Sequence, residues 1–277
     1  MLSKKFFSAG KVILTDGTIG LFANLNVSST FQFSNGASAA STSLGSGITP
    51  RSGFGPNSRG IFIFDSQLPT KSYAFSNAAV TTSASLIATG LSGGAVGNKT
   101  LGIVAGSRTS NATSKFTYSP ESVASGTALG TTGNGGHITA FGSKTVGIFI
   151  TPVLSPQLPN KYTYAGDAVS TTTSLGYSPT PGGAISNGVV GLICTNSNST
   201  APIKYTFSSD SSSSGSVLGD LAQTGCGTST NGFFALATGN HIAQYTYSGD
   251  VVTSGYVLAN ASITASAANG TLGVNVY

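Results

Sequence analysis

The nine residues KYTYAGDAV at 161–169 return almost unchanged as QYTYSGDVV at 244–252. Each has the pattern of a half-buried strand running into a turn. Side chains alternate across a strand, so the two rings of Tyr162 and Tyr164 share one face and Thr163 takes the other. Aligning the chain on this aromatic pair gives Phe31 and Phe33, Tyr73 and Phe75, Phe116 and Tyr118, Tyr162 and Tyr164, Tyr205 and Phe207, and Tyr245 and Tyr247, spaced by 42, 43, 46, 43 and 40 residues. A Ser/Thr-rich run follows each pair and ends in an apolar doublet: Ser43-Leu44, Leu86-Ile87, Ala128-Leu129, Ser174-Leu175, Val217-Leu218 and Val257-Leu258. A small-residue segment comes next, and then a strand opening near a glycine: Gly60, Gly102, Gly147, Gly191, Gly232 and Gly273. Gly20-Leu-Phe-Ala23 matches that strand, and Lys5-Phe-Phe-Ser8 with Val12-Ile-Leu14 reads as a shortened aromatic hairpin.

A period of 40 to 50 residues with about four strand signals and no helical spacing predicts an all-β propeller of four-stranded blades. The repeats start near 31, 73, 116, 162, 205 and 245 within a single domain spanning 1–277, and residues 1–30 complete the last blade. Counting the glycine-led strands gives a closed ring of seven blades, with six as the alternative. Letting N-terminal strands complete a C-terminal sheet closes the ring and removes its exposed edges.

Composition agrees with many short strands. Charged residues make up 7% of the chain, against about 25% in a typical soluble protein, and there are 38 glycines. Residues that fill helix surfaces are sparse. The start, MLSKKFFSAGKVILTDG, has its apolar part broken by Lys11 and Asp16, so no secretory h-region is expected. No run approaches the ~18 apolar residues of a membrane helix, and no membrane insertion is expected. Cys194 and Cys226 fit neither a metal spacing nor a disulfide framework and read as buried small hydrophobes.

The sequence offers little material for catalysis. Glu121, Asp167, Asp210 and Asp250 occupy the position where the aromatic hairpin turns, where a carboxylate can hold nearby backbone amides. They are assigned as structural turn positions. Asp16, Asp65 and Asp220 remain, with His137 and His241, and no pair of them has the pattern of a triad, a glycosidase carboxylate pair or a metal site. GFGPNSRG at 53–60 precedes a strand, so the helix terminus that would hold phosphate is missing. No enzyme activity and no cofactor are expected.

Charge is distributed unevenly. Residues 1–204 hold all twelve Lys and Arg and four acids, a net of +8, and residues 205–277 hold three acids and no base, a net of −3. Lys71, Lys115, Lys161 and Lys204 precede aromatic strands, so an arc of lysines on one face is expected. Such an arc suits an anionic surface; the competing reading is protection of strand ends. Nucleic acid is not expected as a partner, because positive charge is thin and no recognition motif accompanies it.

The K-Y-T-Y-[SA]-G-D hairpins, such as Lys161 to Asp167, and the Asn-[GST]-x-Gly-[IVL]-[FIV] strands between them resemble the repetitive β-rich proteins of tailed bacteriophages and prophages. A more distant similarity to kelch propellers departs from that family in lacking paired glycines before a Tyr…Trp pattern, and Trp is absent. The first resemblance implies a non-enzymatic virion structural protein of the tail, fibre or capsid exterior. It would be made in the host cytoplasm, present in multiple copies, and docked to other virion proteins or a host-surface glycan. The alternative is a cell-surface glycan-binding adhesin or lectin with one weak site per blade.

Overall fold

The computed structural model describes residues 19–24, 26–45, 49–56, 58–64, 69–87, 94–106, 110–130, 138–151, 158–175, 181–195, 201–260 and 265–268. They form six four-stranded antiparallel sheets arranged as the blades of a propeller. Five blades are continuous in sequence. Blade 2 is β4 (Pro50–Phe54), β5 (Arg59–Phe64), β6 (Pro69–Ala74) and β7 (Val80–Ser85). Blade 3 is β8 (Ala95–Gly97), β9 (Leu101–Ala105), β10 (Thr113–Tyr118) and β11 (Glu121–Gly126). Blade 4 is β12 (Thr139–Gly142), β13 (Val146–Ile150), β14 (Asn160–Thr163) and β15 (Ala168–Thr171). Blade 5 is β16 (Pro181–Ser186), β17 (Val190–Thr195), β18 (Ile203–Thr206) and β19 (Ser211–Ser214). Blade 6 is β20 (Ala222–Gly227), β21 (Asn231–Leu236), β22 (His241–Thr246) and β23 (Val251–Val257).

Blade 1 is assembled from both ends of the described chain. Its order is β24 (Ala265–Ala268), β1 (Ile19–Ala23), β2 (Ser28–Gln32) and β3 (Ser38–Ser41), with Gly20 opposite Ala268 and Ala23 opposite Ala265. This corrects the count of seven. Counting glycine-led strands treats Gly20 and Gly273 as belonging to different blades, whereas the Gly20 strand lies directly beside the last innermost strand. Each aromatic hairpin therefore marks one blade, and there are six. The expected seventh sheet, from 273–277 and 5–14, lies outside the described residues.

The core lies between blades. Phe54, Ile61 and Phe116 pack blade 2 on blade 3, Val96, Phe149 and Tyr162 pack blade 3 on blade 4, and Phe141, Ile148 and Tyr205 pack blade 4 on blade 5. One cluster joins Ile185 of blade 5 and Phe233 of blade 6 to Phe22 and Phe31 of blade 1, and another joins Leu21 to Phe62 and Tyr73 of blade 2. The recurrent doublets place a plug in this layer: Leu44, Leu129, Leu175, Leu218 and Leu258 are all buried. The repeated glycine has a steric cause. A Cβ on Gly102 would lie 2.3 Å from the Phe54 ring, and one on Gly147 would lie 2.6 Å from Val96, so an inner-strand side chain of the preceding blade rests on each glycine.

Inner strands are built from small residues because they converge on one another. Gly53, for example, approaches Ser266 so closely that a Cβ would meet its carbonyl oxygen at 2.3 Å. Outer strands are rich in Ser, Thr, Ala and Val, none of their residues is buried, and the backbone N of Ala84 on β7 donates to Glu121 of the next blade.

Candidate functional site

The hairpin-turn acids form a belt that ties each blade to its neighbour. Asp167, Asp210 and Asp250 adopt left-handed backbone angles, with φ of 45°, 48° and 53°. A short polar side chain tolerates that conformation better than most. Asp167 Oδ2 accepts from Lys115 Nζ at 2.7 Å and Oδ1 accepts from Thr127 N at 2.9 Å, both donors belonging to the preceding blade. Tyr162 Oη also donates to Asp167, and Thr127 Oγ1 donates to its carbonyl oxygen. Parts of this arrangement recur in the next two blades. Asp210 receives Tyr205 Oη and the hydroxyl of Thr173, and Asp250 receives Ser216 N at 3.2 Å and the Ser216 hydroxyl on its carbonyl.

Glu121 reaches the same result from different geometry. It opens β11 directly after the two-residue turn Ser119-Pro120, opposite Tyr118. Its longer side chain accepts from Ala84 N at 2.7 Å, Ser83 Oγ at 2.5 Å and Arg59 Nη1 at 2.7 Å, all on blade 2. Left-handed φ at the equivalent turn position is also found at Ala78 (56°) and Gly36 (69°), which lack the carboxylate.

Electrostatics follows from these contacts. Partial desolvation works against ionisation of Asp167, but donors from Lys115, Tyr162 and Thr127 outweigh it and bring the carboxyl down to about 2. Glu121 is lowered in the same sense, with desolvation again overcome by Ser83, Ala84 and Arg59. Asp220 is lowered by the Thr238 hydroxyl and by the backbone amides of Leu221 and Thr238. Every described carboxylate side chain thus holds other groups of the ring.

The four lysines do not share one register. Lys115, Lys161 and Lys204 stand opposite Ile103, Ile148 and Leu192, the residue after the repeated glycine, whereas Lys71 stands opposite Phe62, one position further on. Side chains alternate, so Lys71 lies on the other face of its sheet, where it donates to Thr82 Oγ1 at 3.0 Å. Lys115 and Lys204 face the turn acids of the next blade, Asp167 at 2.7 Å and Asp250 at 3.8 Å. Lys161 has no ion pair among the described residues.

A recess of about 290 Å³ opens at the seam between blades 5 and 6. It is lined by Asn187, Val189, Val190, Ser229, Thr230, Tyr247 and Ser248. No charged side chain faces it. The sequence alone does not mark this place, because its lining is shared between two blades, residues 187–190 of one and 229–248 of the next. His241 is exposed at the start of β22, and His137 and Asp65 lie outside the described residues. Cys194 and Cys226 are free, fully buried thiols whose ionisation burial pushes well up. Among the described residues no group of three His, Cys, Asp or Glu gathers in a way that could hold a metal, and no helix is long and apolar enough to cross a membrane.

No protein-family model and no curated protein matches the sequence. Among solved structures the chain is similar to one in a crystal structure of a nidogen/laminin complex, at 6% identity and a TM-score of 0.69, covering 90% of this chain and 97% of that one. It is also similar to TolB from Acinetobacter baumannii, at 10% identity and a TM-score of 0.65, covering 92% of this chain and 66% of that one. At these identities the likeness is one of fold, a repetitive β-propeller.

Proposed function

We propose that this chain is a non-enzymatic docking ring in the virion of a tailed bacteriophage, a tail, fibre or capsid-exterior component present in multiple copies. The observation that carries the reading is the outer rim. Its six edge strands run SAAS, VTTSAS, ESVASG, AVST, SSSS and VVTSGYV, and Glu121 is the one charged residue among them. Proteins that must stay apart guard open edges with charge, especially lysine. An edge with so little charge suits strand addition by a partner. The belt of turn acids supports the same reading, because rigid blades keep such edges in fixed relation and multivalent attachment gains avidity from that. A ring of like fold occurs in a complex of nidogen with laminin, a precedent for the architecture in protein–protein contact. The virion itself is argued from the resemblance of the KYTYAGD hairpins to phage proteins.

In this reading the ring is closed by the pairing of β1 with β24, the innermost strand of the same sheet. Contact with an anionic surface falls first to Lys161, since Lys115 and Lys204 are engaged with turn acids. A glycan-binding adhesin with one site per blade calls for equivalent seams, and the seams differ: Arg59 fills the seam between blades 2 and 3, where its guanidinium reaches Glu121 and the Tyr118 carbonyl, while Val190 takes the matching place between blades 5 and 6. The reading is tested by banding particles from a lysate of the producing culture on a density gradient. The chain is expected to co-sediment with virion proteins after a high-salt wash, and its recovery only in the soluble or envelope fractions would contradict the proposal.

A further inference from the structure

At three seams the hairpin turn of one blade offers a carboxylate to the blade before it, and the group that meets it stands at one fixed place. That place is two residues before a buried leucine, and it holds a small hydroxyl residue: Thr127 meets Asp167, Thr173 meets Asp210 and Ser216 meets Asp250. Between blade 6 and blade 1 both members of the pair are exchanged. The turn position is Gly36, whose φ of 69° is left-handed like that of the three aspartates. Two residues before the buried Leu258 stands Tyr256. Its ring takes the space a turn side chain would occupy, since a Cβ on Gly36 would lie 2.1 Å from Tyr256 Cδ1 and 2.3 Å from Cε1.

A break in the strand precedes this ring. Ile242 stands opposite Tyr256 and Ala243 opposite Ser254, so Gly255 is the extra residue of a bulge, with φ of 113°. A bulge bends its strand and re-aims the side chain beside it. Tyr256 meets Phe31 of blade 1 edge-on, with ring centroids 5.8 Å apart, and Phe233 of its own blade at 6.5 Å. Phe33 of blade 1 stacks on Phe233 at 4.8 Å and 17°. Aromatic pairs in such geometries stabilise beyond their buried area. Just after the rings, Ala259 N donates to Ser38 Oγ and Asn260 N to Ser29 Oγ, each at 3.0 Å and each across the same seam. The two exchanges are complementary. A carboxylate at position 36 would displace the ring, and a threonine at position 256 would find no acid to hold.

We infer that Tyr256 and Gly36 form a ring-closing clasp, a conformational device that matches blade 1 to blade 6 and holds the first and last blades together without charge. The clasp lies at the hairpin turn on the outer side of blade 1 and is separate from the pairing of β1 with β24 at the inner side. It goes beyond the docking reading, which concerns the free outer edges.

The test is a double-mutant cycle on the whole chain, read by thermal unfolding and by native-state hydrogen exchange. Its members are Gly36→Asp, Tyr256→Thr and the double variant, which copies the pair formed by Asp167 and Thr127. Aspartate tolerates the left-handed turn, as Asp167 shows, so a loss on Gly36→Asp reports the displaced ring. Each single variant is expected to lower the unfolding midpoint by about 5 °C or more. In Tyr256→Thr the amides of Ala259 and Asn260 are expected to exchange at least tenfold faster, while the Thr127 amide, in the clamp of another seam, keeps its rate. The double variant is expected to recover at least half of the loss seen for Gly36→Asp. Additive losses in the double variant would overturn the clasp, and so would unchanged exchange at Ala259 and Asn260 in Tyr256→Thr. Should Gly36→Asp fail to fold, a folded double variant is the predicted recovery, and an unfolded one overturns the inference.

Discussion

Tyr162 and Tyr164 show how two identical side chains in one strand–turn unit have opposite worth. The Tyr162 hydroxyl donates to Asp167, whereas the Tyr164 hydroxyl is buried without a partner. Phe33, Phe75 and Phe207 occupy the Tyr164 position in other blades, so the ring alone suffices for packing. A buried, unsatisfied hydroxyl costs about 1 kcal/mol or more. Tyr164→Phe is therefore expected to leave stability unchanged or raise it by about 1 kcal/mol, while Tyr162→Phe lowers it by about 1.5 kcal/mol. Urea unfolding of both variants measures the difference, and a loss on Tyr164→Phe as large as that on Tyr162→Phe would contradict this account. Ala78 illustrates what local chemistry hides. Its left-handed φ of 56° is imposed by the hairpin, and alanine carries no sign of it in sequence.

The hairpin was legible in sequence because turn chemistry and alternating aromatics are local. The partner of its acid was not, because Lys115 lies 52 residues before Asp167 and a whole sheet apart. Blade number was misread for a similar reason: two segments with one pattern, at Gly20 and Gly273, compete for one reading, and only strand pairing decides which sits beside β24. Clamping by Asp167 predicts a pH dependence. Its carboxyl titrates near 2 in the fold and near 3.8 when free, so its contribution is fully present above about pH 5 and is lost as pH falls toward 2. Allowing for solvent screening of a side chain about a third exposed, that contribution is about 1 kcal/mol. Asp167→Asn is expected to lower the unfolding midpoint at pH 7 and to flatten its fall between pH 5 and 2. A parallel fall in both proteins would show that the clamp carries none of the acid sensitivity.

The whole molecule places its hydrophobic layer between sheets, so no blade buries its faces alone and stability depends on neighbouring sheets packing together. β24 supplies the innermost strand of blade 1 and brings Ala265 and Ser266 against β1 and β20. A chain ending at residue 260 is expected to unfold at a midpoint lower by about 10 °C or more, or to aggregate through the exposed edge of β1. An unchanged midpoint in thermal unfolding would mean that β24 does not complete the ring. In the proposed docking role the partner meets the rim made by the six outer strands, whose edge carries a single charged residue, Glu121. The measurement that tests this role most directly is immunogold electron microscopy of the producing culture and its lysate with antibody to this chain. Label on tail fibres or capsids is predicted, at several sites per particle. Label confined to cell envelopes, with particles unlabelled, would contradict the virion role.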